Sequence, residues 1–332
     1  MSMTIIKPGM LSSFQDMGRW GFQHLGVPVG GVMDTFSHRL ANLLVGNLTD
    51  QATLEMTVTG PVIQFEHTAC IALAGADLSP TINGKPIPMH RPLIVQPADT
   101  LRFGERRHGA RTYMALHGGA DIEAVLNSYS TQLRGQLGGY KGRALKTGDT
   151  IAFRQSLRTE QAKQLQDTLD SSRFHLPALP LLATDSPVRV LTGPHTPMFT
   201  PASQHAFFNT PFVITAQSER MGYRLKGESL QRCESTQIVS EATGFGTIQV
   251  PPDGHPIVLM ADRQTTGGYP KIAHVASIDL PRLAQKMPGD TLFFREITLD
   301  EAHALQARRE AGFERLHQDL HALRSVLHNS TA

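Results

Sequence analysis

A chain of 332 residues with 31 Lys plus Arg against 29 Asp plus Glu is long enough to bury one large core or two medium ones, and its balanced charge excludes a broad surface for phosphate backbones. Two cysteines, Cys70 and Cys233, lie far apart and outside any C-x-x-C pair, which argues against a disulfide framework or zinc ribbon and for a reducing cytoplasm. Met1 to Met10 lacks an apolar signal core and no stretch reaches the ~18 apolar residues of a membrane span, so neither nucleic acid nor membrane is an expected partner.

With 29 glycines and 21 prolines, the chain reads as short apolar or β-branched runs separated by turns, a β architecture rather than a helical bundle. In chain order, Gln15-Asp16-Met17-Gly18-Arg19 and Gly30-Gly31-Val32-Met33-Asp34 precede a helix over 35–45. Asp34 is its N-cap, Phe36, Leu40, Leu43 and Leu44 share one face, and Gly46-Asn47 is its stop. Cys70 to Ala74 and Thr81-Ile82 before Asn83-Gly84 read as hairpin strands. Pro97-Ala98-Asp99-Thr100, Thr147-Gly148-Asp149-Thr150 and Pro288-Gly289-Asp290-Thr291 are alike, each a tight turn feeding an alternating strand. Thr59-Gly60-Pro61 is echoed by Thr192-Gly193-Pro194, and Asp16-Met17-Gly18-Arg19 by Arg220-Met221-Gly222-Tyr223. Because these echoes fall in both halves, two related β subdomains are expected, although common turn tripeptides also recur by chance. The expected organisation is 1–155, a polar and proline-bearing linker over 156–187, a second subdomain over 188–297 and a C-terminal helix over 298–332. Asp279 is expected to cap a short helix, and Thr298-x-x-Glu301 is a capping box opening the last one, whose stripe Leu316, Leu320, Leu323 and Leu327 docks on the body or on a partner helix.

Several chemistries are missing from the sequence. No G-x-x-x-x-G-K-[ST] occurs, Gly244-Phe245-Gly246 lacks the third glycine of a dinucleotide fingerprint, and H-E-x-x-H and G-x-S-x-G are absent. His317 and His321, four apart, have no third ligand nearby and read as helix-surface histidines, so no metal site is expected. Three polar clusters are present. In the first, glycines flank Asp16, Arg19 and Asp34, so backbone can approach a small ligand while the arginine holds a carboxylate; the alternative is a plain helix cap and a surface arginine. In the second, Ser128, Ser130 and Thr131 precede Gly138-Gly139-Tyr140-Lys141-Gly142-Arg143, which reads equally as an anion-accepting nest or an exposed loop. The third is Asp262-Arg263-Gln264-Thr265-Thr266-Gly267-Gly268-Tyr269-Pro270, behind the apolar run Ile257 to Met260. A hairpin turning at Pro252-Asp253-Gly254 brings Gln249 beside this string, and a polar cluster at a barrel mouth is a usual ligand position; the alternative is a long polar turn.

Several strings together are similar to one known family: Gln15-Asp16-x-Gly18-Arg19, Gly31-x-Met33-Asp34, Ala41-Asn42-x-Leu44-Val45-Gly46-Asn47, Leu54-Glu55, Thr59-Gly60-Pro61, Arg220 to Leu225, Ile248-Gln249-Val250-Pro251 and Ala261 to Lys271. From Thr4 to Glu296 the chain resembles the biotin-dependent carboxyltransferase family, also called allophanate hydrolase subunit 2, which includes the C subunit of 5-oxoprolinase and the KipI antagonist. The resemblance implies a mainly β fold of two cyclophilin-like β-barrel subdomains, with a few short helices and a long C-terminal helix. It departs at Tyr129, where many relatives are expected to carry arginine, and this puts any contact made by that arginine in doubt.

The function implied is that of the C subunit of an ATP-dependent 5-oxoprolinase, which opens 5-oxoproline to glutamate together with KipI-like and LamB/YcsF-like subunits. One alternative is a carboxyltransferase component taking a carboxyl group from carboxybiotin to urea or a similar amide. Another is a regulator that binds a KipI-like kinase inhibitor without catalysis. Lactam opening needs donors around developing negative charge and a carboxylate to orient water. The catalytic candidates are Asp262, Arg263 and Asp34. The substrate-binding candidates are Gln249, Gln264, Thr265, Thr266, Gly267, Gly268 and Tyr269, with Gln15, Asp16, Arg19, Met33, Ser128, Ser130 and Thr131.

Overall fold

The structure is a computed structural model that describes residues 1–155, 157–171, 186–234 and 238–328. Its described residues fall into two compact units, one taking those of Met1–Arg19, Asp34–Pro180 and Ala311–Ala332, the other those of Trp20–Met33 and Leu181–Glu310. Of the segment expected as a linker, residues 156 and 172–185 lie outside the described residues, while Thr159–Ser171 is helical. Among the described residues no helix is long and apolar enough to cross a membrane.

The first unit contains β1 (Ser2–Lys7), β2 (Leu11–Gln15), β3 (Thr53–Thr57), β4 (Val62–Phe65), β5 (Ala69–Asp77), β6 (Thr81–Ile82), β7 (Lys85–Pro86), β8 (Pro92–Val95), β9 (Thr100–Arg102), β10 (His108–Leu116) and β11 (Thr150–Ala152), with helices α1 (Thr35–Leu44) and α2 (Thr159–Ser171). Its strands form one sheet in the order β11-β1-β4-β9-β6-β7 and another in the order β2-β3-β10-β5-β8. Alternate residues of these strands, among them Ile5, Leu54, Ile63, Leu73 and Met114, supply one buried core. The Asn83-Gly84 pair turns β6 into β7 with φ of 52° and 80°, the two left-handed positions that a two-residue hairpin demands. Asp34 caps α1 as expected, its Oδ1 accepting the Ser37 N–H at 2.9 Å.

The second unit contains β12 (Val188–Thr192), β13 (Phe212–Ile214), β14 (Gly222–Lys226), β15 (Glu241–Ala242), β16 (Thr247–Gln249), β17 (Ile257–Leu259), β18 (Thr266–Gly267), β19 (Lys271–Val275), β20 (Thr291–Leu292) and β21 (Phe294–Glu296), with α3 (Pro201–Asn209) and α4 (Leu280–Ala284). Eight of these strands form a sheet in the order β20-β13-β14-β17-β16-β19-β12-β21, and β15 pairs with β18 in a separate ribbon. The core gathers Phe199, Phe207, Phe212 and Phe294 with Ile248, Val258 and Ile272. The C-terminal helix opens on the expected capping box, where Thr298 N–H donates to Glu301 and Glu301 N–H to the Thr298 hydroxyl. It runs as α5 (Leu299–Asp319) and resumes as α6 (His321–His328). Leu320, Leu323 and Leu327 are buried, and α6, itself part of the first unit, is held there by a 2.7 Å hydrogen bond from His328 Nε2 to the Gly46 carbonyl. The mainly β expectation, with few helices and a long C-terminal one, holds.

The repeated turns are the same structure three times. Asp99, Asp149 and Asp290 each accept the N–H three residues back at 2.7, 2.7 and 2.8 Å. Each also donates its own N–H to that residue's carbonyl at 3.0, 3.1 and 3.0 Å. Ala98, Gly148 and Gly289 take the left-handed φ between them, at 71°, 84° and 94°. Two of these turns belong to the first unit and one to the second. Gly60 and Gly193 also share a reason to be glycine, since a Cβ would lie 2.3 Å from Phe103 and 2.3 Å from the Lys271 carbonyl. The third echo does not correspond: Asp16 to Arg19 follows β2, whereas Gly222 and Tyr223 lie within β14. Nor does the Asp279 side chain cap α4. Its buried carboxylate instead holds Arg189 at 2.5 and 3.0 Å and Arg282 at 3.3 Å, because two guanidiniums outcompete a lone N–H for it.

The first unit buries a polar network as well as an apolar core. Tyr113 on β10 faces Glu55 on β3, donates to its carboxylate at 2.8 Å and accepts the Asp34 N–H at 2.9 Å. The fully buried His38 of α1 places Nδ1 2.8 Å from the Thr53 hydroxyl. Burial pushes the His38 imidazole down from 6.5 to about 4, against the pull of the Asp16 and Glu55 charges. Between those values the unfolded chain binds a proton that the folded chain refuses, so this contribution is complete above pH 6.5 and is lost as the pH falls toward 4. Chemical denaturation at about pH 7 and about pH 4.5 is expected to show up to ~3 kcal/mol of pH-dependent loss that His38→Gln removes.

Candidate functional site

Gln15, Asp16 and Arg19 of the first polar cluster lie in the first unit and are turned inward. Asp16, just past β2, accepts from Gly18 N–H at 2.8 Å, the Ser128 hydroxyl at 2.8 Å, Tyr129 N–H at 2.6 Å and the Ser130 hydroxyl at 2.6 Å. The buried Arg19 donates to the carbonyls of Val125 and Ser130, each at 2.9 Å. Gln15 Nε2 donates to the Ser13 hydroxyl and the Thr131 carbonyl, and the Thr131 hydroxyl donates to the Phe14 carbonyl. The structure thus brings Gln15, Asp16, Arg19, Ser128, Ser130 and Thr131 together, as a clamp between the end of β2 and the 125–131 loop. In the expected nest, Arg143 is committed to Asp149 through two 2.7 Å hydrogen bonds, and this guanidinium holds the Asp149 carboxyl below the usual carboxylate range. The Tyr129 ring lies 4.6 Å beneath the guanidinium of Arg154.

Asp34 and Met33 are architectural in this structure. Both Asp34 carboxylate oxygens bind Ser37, Oδ1 its N–H and Oδ2 its hydroxyl at 2.6 Å, which leaves a capping carboxylate rather than a base aimed at a ligand. Met33 is fully buried in the core of the second unit.

The polar string lies in the second unit and is bolted at its start. Asp262 meets Arg220 in a buried two-pronged pair, Nε to Oδ2 at 2.8 Å and Nη2 to Oδ1 at 3.0 Å, and Arg220 Nη2 also reaches the Gly31 carbonyl at 2.5 Å. Asp262, expected as the alternative base, is therefore the counterion of Arg220. The string then enters β18, where Thr266 and Gly267 pair with Ala242 and Glu241, before Lys271 opens β19. As the hairpin register predicts, Gln249 lies against it: Gln249 pairs with Ile257, accepts from Gln264 Nε2 at 3.4 Å and donates to the Tyr269 carbonyl at 3.4 Å. Gly267 lets Gln249 approach, since a Cβ there would sit 2.7 Å from its Nε2. Gly268 packs toward Ile238 and Ser240, the Thr265 carbonyl accepts the Thr243 N–H, and Thr266 and Tyr269 are exposed.

Arg263 is the unusual member. It is buried, yet its Nε and Nη1 make only long contacts of 3.5 Å to the carbonyls of Thr243 and Ala261, and its guanidinium carbon is 5.9 Å from the centre of the Phe245 ring. Among the described residues its only charged neighbour of opposite sign is Asp262, already engaged by Arg220. Burial lowers its pKa to about 10, so it stays a cation at neutral pH. Its field and burial hold His274 below the ordinary histidine range, burial being the larger cause, and His274 Nδ1 sits 3.2 Å from the Thr247 hydroxyl. Lys271, also buried, donates to the Ala242 carbonyl at 2.8 Å. Two cations thus converge on the consecutive carbonyls of Ala242 and Thr243, beside the amides of Gln249 and Gln264. Such a wall suits an anionic oxygen or one that becomes anionic during reaction.

Lys271, His195, Glu241, His274 and Arg220 escaped the sequence reading as site residues. Lys271 and Arg220 stand inside strings already noted, but nothing in linear spacing tells that Lys271 points back to Ala242 or that Arg220 meets Asp262, 42 positions away. Two cavities of the second unit, about 310 Å³ beside Arg282 and Lys286 and about 640 Å³ beside Thr192 and Glu301, are lined by no residue of the string. Among the described residues no three His, Cys, Asp or Glu are grouped to hold a metal ion.

If Asp262 is a counterion, neutralising it strands a buried guanidinium. Asp262→Asn is expected to lower the unfolding free energy by ~3 kcal/mol or more, measured by urea denaturation. Unchanged stability would return Asp262 to the list of bases.

A family model described as carboxyltransferase domain, subdomain A and B, matches residues 25–296. The chain is 36% identical over 318 residues to the 5-oxoprolinase C subunit of Escherichia coli K12, covering 96% of this chain and 98% of that one. It is 33% identical to the 5-oxoprolinase C subunit of Haemophilus influenzae, covering 90% and 92%. The crystal structure of Kluyveromyces lactis urea amidolyase is similar with a TM-score of 0.84 at 30% identity, over 95% of this chain and 20% of that one. With the family model matched through both β units and two 5-oxoprolinase C subunits alike over nine-tenths of their length or more, the chain belongs to the carboxyltransferase family of subdomains A and B.

Proposed function

We propose that the chain is the C subunit of an ATP-dependent 5-oxoprolinase that opens 5-oxoproline to glutamate in a complex with KipI-like and LamB/YcsF-like subunits. The observation that carries this reading is the 36% identity over 98% of the Escherichia coli C subunit. The Saccharomyces cerevisiae urea amidolyase matches at 31%, over 17% of its length. Opening a lactam with ATP passes through an amide oxygen that gains negative charge and is phosphorylated, followed by attack of water on the activated carbon. Arg263 is suited to that oxygen or to a phosphoryl oxygen, because it is a desolvated cation whose long contacts improve when an anion arrives. Gln249 and Gln264 add neutral donors and orient the ring. ATP enters as the co-substrate of the complex.

A second reading, transfer of a carboxyl group from carboxybiotin to urea or a similar amide, is favoured by the likeness to urea amidolyase at a TM-score of 0.84. The two are separated by co-expressing the chain with its neighbouring gene products and measuring 5-oxoproline-dependent ATP hydrolysis, with this chain omitted as the control. Full activity without the chain rejects the first reading and leaves a regulator of the KipI-like protein; a biotinylated protein recovered with the chain supports the second. In the active complex, Arg263→Ala is expected to lower turnover roughly a hundredfold or more. Its thermal unfolding should match the wild type, since no carboxylate loses its partner.

A further inference from the structure

The two cations of the string differ in what neutralises them. Among the described residues Arg263 has no carboxylate of its own, whereas Lys271 Nζ pairs with Glu241 Oε1 at 2.8 Å, and His195 Nε2 lies 3.5 Å from the same oxygen. The exposures are lopsided. The Lys271 and His195 side chains are 10% and 19% accessible, and Glu241 is 47% accessible. Cation and imidazole are built into the wall: Lys271 is anchored to the Ala242 carbonyl, and His195 Nδ1 accepts the Lys271 N–H at 3.1 Å. The carboxylate, by contrast, hangs from β15, a two-residue strand that among the described residues pairs only with the equally short β18. Lys271 holds the Glu241 carboxyl below the usual carboxylate range, so it is an anion throughout the neutral range.

An exposed ion pair is worth little, so exchanging one carboxylate for another costs little, while leaving a buried ammonium without any anion costs much. We propose that Lys271 Nζ and His195 Nε2 form the binding position for the carboxylate group of a small-molecule ligand, and that Glu241 is the resident counterion which that ligand displaces. Glu241 then sets the affinity and selects for carboxylates, because a neutral ligand gains nothing by evicting it. The inference rests on the lactam reading to the extent that 5-oxoproline carries both groups: its carboxylate meets Lys271 while its ring amide faces Arg263. The consecutive carbonyls of Ala242 and Thr243, contacted by Lys271 and Arg263 respectively, bring the two cations within reach of one small molecule.

Calorimetric titration of the full chain tests it. Wild type, Glu241→Ala and Glu241→Gln are each titrated with 5-oxoproline, with glutarate, and with 2-pyrrolidinone, the same lactam without its carboxylate. Both variants are expected to bind a carboxylate roughly fivefold more tightly than wild type, which is about 1 kcal/mol at 1.4 kcal/mol per tenfold. The gain is expected to vanish for 2-pyrrolidinone and in Glu241→Gln combined with Lys271→Met. Carboxylate affinity that is unchanged, weaker or undetectable in both Glu241 variants overturns the inference, as does a gain that survives loss of Lys271. A gain for glutarate alone upholds the carboxylate position and counts against 5-oxoproline as the ligand. Flat titrations beside an active complex overturn the position and keep the lactam reading.

Discussion

Arg220 and Asp262 meet away from water through two hydrogen bonds, and a further Arg220 donor reaches the Gly31 carbonyl. Removing two charges from water costs several kcal/mol each and is offset only by close geometry, so neither residue has an alternative place to sit. Asp262 is thereby a fixed point in the second unit, and the chain beyond it inherits that position. Arg263 follows immediately, and its guanidinium lies by the carbonyls of Ala261 and Thr243 and near the Phe245 ring. Thr266 and Gly267 then pair with β15, and Lys271 arrives beside Ala242 at the start of β19. A polar string that would otherwise be a mobile turn becomes a wall with cations at defined positions.

The same economy of partners separates architecture from chemistry elsewhere. Asp16 accepts four hydrogen bonds, Asp34 binds Ser37 twice, Asp279 joins two arginines, and the three repeated turns each close on an aspartate. Carboxylates with this many donors hold backbone in place, because a buried acceptor left short of donors would cost more than the loop it stabilises. Arg263 and the Lys271–Glu241 pair stand apart: one cation has only long contacts, the other a half-exposed counterion. That loose neutralisation is what suits these two cations to the ligand proposed for them.

The recurrence of one turn in both units also bears on how the fold is assembled. In each copy the turn's middle residue donates to, and its aspartate carbonyl accepts from, a single residue of a neighbouring strand: Phe65, Ile5 and Ile214 respectively. A turn that also fixes its neighbour's register is a compact instruction, and its aspartate, left-handed residue and following threonine are all visible in the linear sequence.

Local rules determined the mainly β class, the Asn83-Gly84 hairpin, the Asp34 cap, the Thr298–Glu301 box and the approach of Gln249 to the string, since each depends on contacts a few residues apart or on one hairpin. The family strings placed attention on Asp262 to Tyr269. Which of those residues are committed to the framework of the fold was settled by partners distant in sequence. Asp262 was drawn to Arg220, Asp16 to Ser128 and Ser130, and Arg143 to Asp149, while Lys271, the last residue of a family string, and His195, unremarked in the linear chain, gathered around Glu241. An ionisable side chain has the same character in every sequence context. Whether it serves as counterion, cap or ligand contact is decided by which opposite charge the folded chain brings within about 3 Å of it, at a low enough dielectric for that charge to matter.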